Sequence, residues 1–63
     1  GAIKWMQKKL NSLTSGTNIE VDGIWGRMTT AQLKRYWKQL GWRTTGTYCG
    51  KKTCAALYSN RKN

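Results

Sequence analysis

The sequence contains no histidine and only two acidic residues, and both shortages limit its chemistry. Without histidine the chain lacks the commonest general base, the commonest metal ligand and the base of Ser-His and Cys-His pairs. Its only carboxylates, Glu20 and Asp22, lie close together in a segment that reads as a turn, which disfavours paired-carboxylate hydrolysis. Two cysteines without histidine also fall short of the roughly four ligands of a zinc site. We therefore expect a binding module without a cofactor, not an enzyme.

Long apolar segments are missing as well. The longest apolar stretch is a handful of residues, whereas a membrane-spanning helix requires roughly 20, and no apolar core of a signal peptide is present. We therefore predict no membrane insertion. Because the chain begins at Gly1 and enters a helical pattern almost at once, we expect a domain excised from a larger protein, with any export signal or catalytic partner outside it.

The length of 63 residues limits the size of the core. A chain this short buries only about 60% of the surface that its unfolded form exposes. We therefore predict a single, monomeric domain spanning residues 1–63. Its 12 basic residues exceed its 2 acidic ones by 12 − 2 = 10 charges. Such an excess favours anionic partners, and together with interleaved Trp and Tyr it is also typical of nucleic-acid-binding domains.

Apolar periodicity predicts the first helix. Ile3, Met6, Leu10 and Leu13 recur at steps of three and four, which indicates a helix from about residue 3 to residue 13. Trp5 lies off this stripe, and it is either a residue at the edge of the core or an exposed stacking surface.

The second helix has the most complete pattern. Its apolar residues fit the i, i+3, i+4, i+7 template; they are Leu33, Tyr36, Trp37 and Leu40. The helix should end at Gly41. A third, shorter helix is predicted from about residue 51 to residue 60, and the tail 61–63 should be frayed. The alternating segment 19–21 allows a brief strand or bridge.

These elements predict an all-α fold, a small three-helix bundle. Its core should consist of apolar residues from all three helices, with the tryptophan of the second helix at the centre. The residues are Leu10, Leu33, Trp37, Leu40 and Leu57.

Part of the bundle is an internal repeat. A shift of 24 positions aligns residues 26–33 with residues 50–57, and five of the eight pairs match, one of them as Arg27 against Lys51. Each unit consists of a glycine turn, an apolar residue, a second glycine, a basic residue, a threonine and a helix. The first glycine would supply a left-handed backbone and the second would cap the helix.

The threonine of each unit has a predicted role at the start of its helix. The hydroxyl of Thr29 or Thr53 would hold free N–H groups of the first turn. The alternative arrangement is a capping box, in which Thr29 is the N-cap of the second helix and the Gln32 side chain accepts a bond from the Thr29 N–H. The start of the helix then moves by about three residues. Asp22 should accept backbone N–H bonds across its own turn.

The most distinctive motif is Val21-Asp22-Gly23-Ile24-Trp25-Gly26, followed by Thr29. This motif, together with residues on either side of it in matching order and spacing, resembles the peptidoglycan-binding domain type 1 family. The resemblance covers nearly the whole chain. The residues on either side are Gln7, Leu10, Asn11, Leu33, Trp37, Gly41, Gly46, Thr53, Ala56 and Leu57. The resemblance implies a three-helix module attached to cell-wall hydrolases or other secreted proteins. It also implies a secreted or wall-associated location, or a phage protein released at host lysis.

Cations occupy two unfavourable positions. Arg27 and the pair Lys51-Lys52 lie at predicted helix N-termini, where the macrodipole is already positive and each cation costs about 0.3–1 kcal/mol. Cations that oppose the helix dipole at equivalent positions of two repeats suggest a function. Backbone N–H groups, the cation and Thr29 or Thr53 would form a cradle for an anion. A stem-peptide carboxylate or a teichoic-acid phosphate would suit this cradle.

Aromatic residues in loops are further candidates for ligand binding. Trp25, Trp42 and Tyr48 lie in loop or turn positions, where amphipathic rings either plug the core or offer flat faces to sugars and stem peptides. Asp22 and Gly23 of the motif complete the set of candidate ligand-binding residues.

The two cysteines leave two alternatives open. Cys49 and Cys54 could form a disulfide, provided that their Cα atoms come within about 7 Å, since a wall-facing compartment permits oxidation. They could equally be two reduced thiols near the core. No base near them in the sequence supports a catalytic thiol.

The predicted function is a non-catalytic peptidoglycan-binding module that anchors an attached wall hydrolase, such as an endolysin or amidase, to its substrate. Its expected partners are peptidoglycan and, as a second candidate, teichoic acid. The alternative is a basic nucleic-acid-binding module, which is disfavoured because the basic residues are spread through all three helices and the loops. A cationic membrane-active peptide would not need the internal repeat and the defined turns.

Overall fold

The computed structural model describes residues 1–44, 46 and 50–63 and contains three helices among them. They are α1 (Ala2–Leu13), α2 (Arg27–Gln39) and α3 (Lys51–Tyr58). The described residues include no strand. The predicted all-α three-helix bundle is therefore confirmed, with helix boundaries within one or two residues of those expected.

The core is formed by one apolar face from each helix. Seven apolar side chains are buried together: Leu10, Leu13, Leu33, Tyr36, Trp37, Ala56 and Leu57. Four of the five predicted core residues are among them. The fifth, Leu40, packs half-buried against the cluster, because it caps α2 and lies beyond its last turn.

The centre of the core differs from the prediction. Tyr36 is fully buried, with 0% of its surface exposed, whereas Trp37 retains 6%. Tyr36 is also the largest of the fully buried side chains. Trp37 therefore lies beside the centre of the core, and its indole N–H donates to the hydroxyl of Thr53 at 2.9 Å.

The alternating segment 19–21 is extended but does not form a strand. The side-chain amide of Asn11 accepts a bond from the N–H of Ile19 and donates one to its carbonyl, both at 2.8 Å. This amide satisfies the two backbone groups that a neighbouring strand would otherwise bond. At Ile19 a side chain of α1 therefore takes the place of a neighbouring strand.

The predicted glycine stop of α2 is present: the helix ends at Gln39 with Leu40 as its cap, and Gly41 adopts a left-handed conformation with φ +80°. The N–H of Trp42 donates to the carbonyl of Trp37 at 2.8 Å, and the N–H of Gly41 donates to Lys38 at 3.0 Å. This pair of bonds is the Schellman motif. It fixes the position at which Trp42 leaves the helix.

Helix α3 ends in the same way, with an asparagine in the place of the glycine. Asn60 has φ 54°, and its N–H donates to Leu57 at 3.1 Å while the N–H of Arg61 donates to Ala56 at 3.0 Å. Asparagine tolerates this conformation better than most residues.

The predicted fraying of the tail is wrong at residues 61 and 62. The hydroxyl of Tyr36 donates to the carbonyl of Arg61 at 2.6 Å, and the side-chain amide of Gln39 donates to the carbonyl of Lys62. The physical reason is the buried tyrosine, whose hydroxyl requires a partner. The tail supplies that partner and is held against α2.

Trp5 lies at the edge of the core, one of its two predicted locations. It is half-buried against the core cluster, and its ring centroid lies 4.8 Å from that of Tyr58, with an interplanar angle of 41°. The contact joins the first turns of α1 to the end of α3.

Replacement of Trp37 by Ala should abolish cooperative folding. The change removes a nearly buried indole and leaves the hydroxyl of Thr53 without its donor, at a cost of about 3–5 kcal/mol, comparable to the whole stability of so small a domain. Thermal melting followed by circular dichroism measures the effect, with the exposed neighbour Lys38→Ala as control. A melt near that of the parent would show that Trp37 does not stabilise the core.

Candidate functional site

The buried amide of Gln7 connects α1 to the motif at residues 21–26. Gln7 is 1% exposed, and its Oε1 accepts a bond from the N–H of Gly23 at 2.9 Å. Its Nε2 lies 3.0 Å from Asp22 Oδ1, 3.1 Å from the Ile24 carbonyl and 2.9 Å from Thr29 Oγ1. One neutral side chain therefore holds both the turn and the start of α2.

The Asp-Gly turn has the geometry that the sequence predicts. Asp22 Oδ1 accepts a bond from the N–H of Ile24 at 2.9 Å, and Gly23 has φ +78°. A Cβ at Gly23 would also lie 3.3 Å from Cγ of Lys4. The backbone N–H of Ile24, and after it the amide of Gln7, hold the pKa of Asp22 below its ordinary value.

The repeated threonines do not cap their helices, contrary to the prediction. Helices α2 and α3 begin after Gly26 and Gly50, and neither has a side-chain cap bond. Thr29 and Thr53 are buried at the third helical position, and each accepts a bond from a side chain of the preceding helix. The donors are Gln7 Nε2 for Thr29 and Trp37 Nε1 for Thr53, both at 2.9 Å.

The capping-box alternative is wrong as well. Thr29 lies inside α2 and not at its cap, and its hydroxyl donates inward to the carbonyl of Ile24 at 3.3 Å. Gln32 is buried, and its Nε2 donates to the carbonyl of Thr17 at 3.1 Å. Both side chains therefore stabilise the loop between α1 and α2.

The first turns of α2 and α3 are open to solvent. No acidic residue lies in either first turn, and among the described residues no atom lies within 4 Å of a Cβ built at Gly26 or Gly50. Arg27 and Lys51, which follow these glycines, are both exposed. Each helix start thus combines unbonded N–H groups, an exposed cation and open space.

A groove of about 300 Å³ lies beside the start of α2 and is called the α2 groove below. Its lining brings together three kinds of side chain: the exposed cation Arg27, the carboxylates Glu20 and Asp22, and the apolar side chains Ile24 and Met28. Ile24 and Met28 are each 67% exposed. The groove therefore offers charges of both signs next to an apolar surface.

The aromatic candidates are divided by the structure. Trp25 is half-buried and packs against the core cluster. Trp42 is also half-buried, and its ring is a partner for cations: Lys52 Nζ lies 4.4 Å and Arg61 Cζ 5.6 Å from the ring centroid. Tyr48 lies outside the described residues.

The disulfide prediction is not tested, since Cys49 also lies outside the described residues. Cys54 is a half-buried free thiol. Among the residues that the structure describes, no three His, Cys, Asp or Glu side chains gather to hold a metal ion. In the same part of the chain, no helix is both long enough and apolar enough to span a bilayer.

Sequence reasoning missed the contacts of three residues of these sites. Gln7 was noted only through the family resemblance, yet it lies four residues after Ile3 and three before Leu10, on the buried stripe of α1. That position was a usable signal for a buried amide. Lys52 was expected at a helix N-terminus but not beside Trp42, and Arg61 was not expected there either. No local pattern indicates these contacts, because the two residues approach Trp42 from positions ten and nineteen residues further along the chain.

Comparison with known families places the chain in one of them. The model of the family described as "Putative peptidoglycan binding domain" matches residues 1–57, and the chain therefore belongs to this family of peptidoglycan-binding domains. Such domains are generally non-catalytic. No curated protein and no solved structure gives a significant match.

Replacement of Gln7 by Met should destabilise the domain by at least about 2 kcal/mol, because the Gly23 N–H loses its acceptor and the Ile24 carbonyl loses one of its two donors while the side-chain volume is nearly kept. For a domain of this size the expected fall in melting temperature is roughly 10 °C. The matched control is Lys8→Met, an exposed neighbour on α1. Equal melting temperatures of the two variants would contradict the proposed role of Gln7.

The pH dependence of stability should depend on Asp22. Because its pKa is lowered in the folded state, its contribution is fully present above the ordinary aspartate value of about 3.9 and is lost as the pH falls through the folded pKa. The variant Asp22→Asn keeps an oxygen acceptor and should show a flatter melting-temperature profile over this acidic range. Glu20→Gln is the control and should retain the acid-side loss. A wild-type profile in Asp22→Asn would contradict the assignment.

Proposed function

We propose that this domain is a non-catalytic module that binds peptidoglycan through the α2 groove and holds an attached wall hydrolase, such as an endolysin or amidase, near its substrate. The observation that carries the proposal is the open first turn of α2 inside a chain of the peptidoglycan-binding family. Its place of action is the cell wall, reached by secretion or by release of a phage protein at lysis. The domain acts there as a monomer.

The first turn of α2 supports an anionic group as the bound part of the ligand. Gly26 contributes no side chain, and the Thr29 hydroxyl points inward, so the N–H groups at the helix start are available. The helix dipole and Arg27 both favour a negative charge there. The cation, unfavourable in the free domain, becomes favourable when the anion is present.

The remaining lining supports the peptide part of peptidoglycan as this ligand. Stem peptides carry free carboxylates, amines and small apolar side chains. Arg27 and the N–H groups would bind a carboxylate, Glu20 would face an amine, and the exposed Ile24 and Met28 would cover methyl groups.

Four other candidate residues lie in or near this part of the fold. Asp22 and Gly23 shape the turn that ends at the groove, and Thr29 fixes the helix start. Trp25 packs against the core. The equivalent residues of the second repeat, Lys51 and Thr53, lie at the start of α3 and not in this groove.

Replacement of Arg27 by Ala tests the groove directly. In high salt, binding to peptidoglycan freed of teichoic acid should weaken about tenfold, because a charge-assisted hydrogen bond is lost. The same substitution at Lys8, an exposed cation of α1, should matter little, since attraction between exposed charges is screened over about 8 Å or less. Pull-down isotherms measure both. Equal losses would leave only nonspecific attraction and overturn the proposal, and full binding by Arg27→Lys would show that bidentate geometry is not needed.

A second variant separates binding from folding. Gly26→Asp places a carboxylate where the ligand's carboxylate is proposed to lie, and the extended backbone at this position suits an N-cap aspartate. The melting temperature should be kept or slightly raised while binding falls. Ser12→Asp makes the same change of charge on the exposed side of α1 and should bind almost normally. Unchanged binding by Gly26→Asp would exclude the start of α2 as the contact.

A further inference from the structure

A second, purely cationic groove surrounds Trp42. Three segments meet at this ring: the chain after α2, which carries Trp42 and Arg43; the first turn of α3, with Lys52; and the tail, with Arg61. Two adjoining concavities, of about 430 and 230 Å³, share Trp42 and Lys52 in their linings. Together they are called the Trp42 groove below.

The cations of this groove are held in place by the fold. The Schellman bond to Trp37 fixes Trp42, and the indole ring attracts the charged ends of Lys52 and Arg61 at 4.4 and 5.6 Å. Arg61 is further fixed because its carbonyl accepts the bond from the buried Tyr36. The fold therefore positions these positive charges before a ligand binds.

In the described part of the chain these charges have no acidic side chain beside them, and Nε of Arg61 donates to the backbone oxygen of Asn63 at 3.0 Å. The sequence contains twelve basic residues and two acidic ones, and both acidic side chains line the α2 groove. The described residues that line the Trp42 groove include no acidic side chain. The two grooves also share no lining residue, so they can bind different ligands.

We propose that the Trp42 groove binds a phosphodiester-linked polyol polymer of the cell wall, such as a teichoic acid, through Lys52 and Arg61. The inference rests on the proposed function in one respect, the location of the domain at the wall. Repeated phosphates match fixed cations that have no acidic side chain among the described lining residues, and guanidinium groups bind phosphate oxygens well. The polymer thus adds a second attachment beside the contact at the α2 groove.

The aromatic ring of the groove distinguishes this ligand from a nucleic acid. Proteins that bind single strands offer aromatic faces on which bases stack. Trp42 is half-buried and its ring is already paired with Lys52 and Arg61. The groove therefore recognises phosphate charge and not bases.

Binding of purified poly(glycerol phosphate) tests the proposal, with isothermal calorimetry as the measurement. The double variant Lys52→Ala, Arg61→Ala should bind at least about tenfold more weakly, and its affinity should depend less steeply on salt because fewer counterions are released. The matched control is Lys8→Ala, Lys38→Ala, which removes two exposed charges from α1 and α2 and should keep the salt slope. On titration of the parent domain, the indole N–H signal of Trp42 should shift in NMR spectra while that of Trp5 stays in place.

Several outcomes would overturn the proposal. Equal losses in the two double variants would indicate attraction by net charge alone. If single-stranded DNA binds the Trp42 groove as tightly as the polymer does, the groove is a nucleic-acid site. Loss of binding to polymer-free peptidoglycan in the Lys52, Arg61 variant would assign the groove to peptidoglycan itself. If the parent binds the polymer but not polymer-free peptidoglycan, the function proposed for the α2 groove fails and this one stands.

Discussion

The structure depends on one neutral contact, the amide of Gln7 inside the motif at residues 21–26. This amide replaces the water that the Gly23 N–H and the Ile24 carbonyl would otherwise bond, and unmade bonds of this kind are costly in a small core. It also reaches Thr29 at the start of α2. The turn and the start of α2 are therefore held by one side chain of α1, and the surface proposed for recognition is built from the same bonds that hold the fold.

In the second repeat the inward threonine accepts its hydrogen bond from a different donor. Where Gln7 donates to Thr29, the indole of Trp37 donates to Thr53, and in both units the donor comes from the preceding helix. An inward threonine cannot also bond the N–H groups of its own turn. Each repeat thereby exchanges a helix cap for a contact between helices, and it leaves the helix start available to a ligand.

Apolar periodicity was sufficient to predict the three helices, and the Asp-Gly turn and the glycine stop of α2 followed from local backbone chemistry. The direction of the Thr29 hydroxyl could not be predicted, because a threonine at that position can bond its own turn or another helix with nearly the same local sequence. The same holds for Tyr36 and Trp37, which are adjacent on one face, so a small rotation of α2 decides which is central. The cations around Trp42 come from distant positions, and only the packed tail brings Arg61 there.

The charge excess of the domain links its stability to its surroundings. The contacts that hold the motif are mostly between neutral groups, whereas the excess of ten positive charges repels itself in the compact state. Dissolved ions reduce this repulsion, and an anionic matrix reduces it further by supplying fixed countercharges. Any matrix that binds the folded domain better than the unfolded chain also raises its resistance to unfolding. The domain is consequently weakest when free in dilute solution and strongest when adsorbed, so a protease would meet its most vulnerable form before attachment.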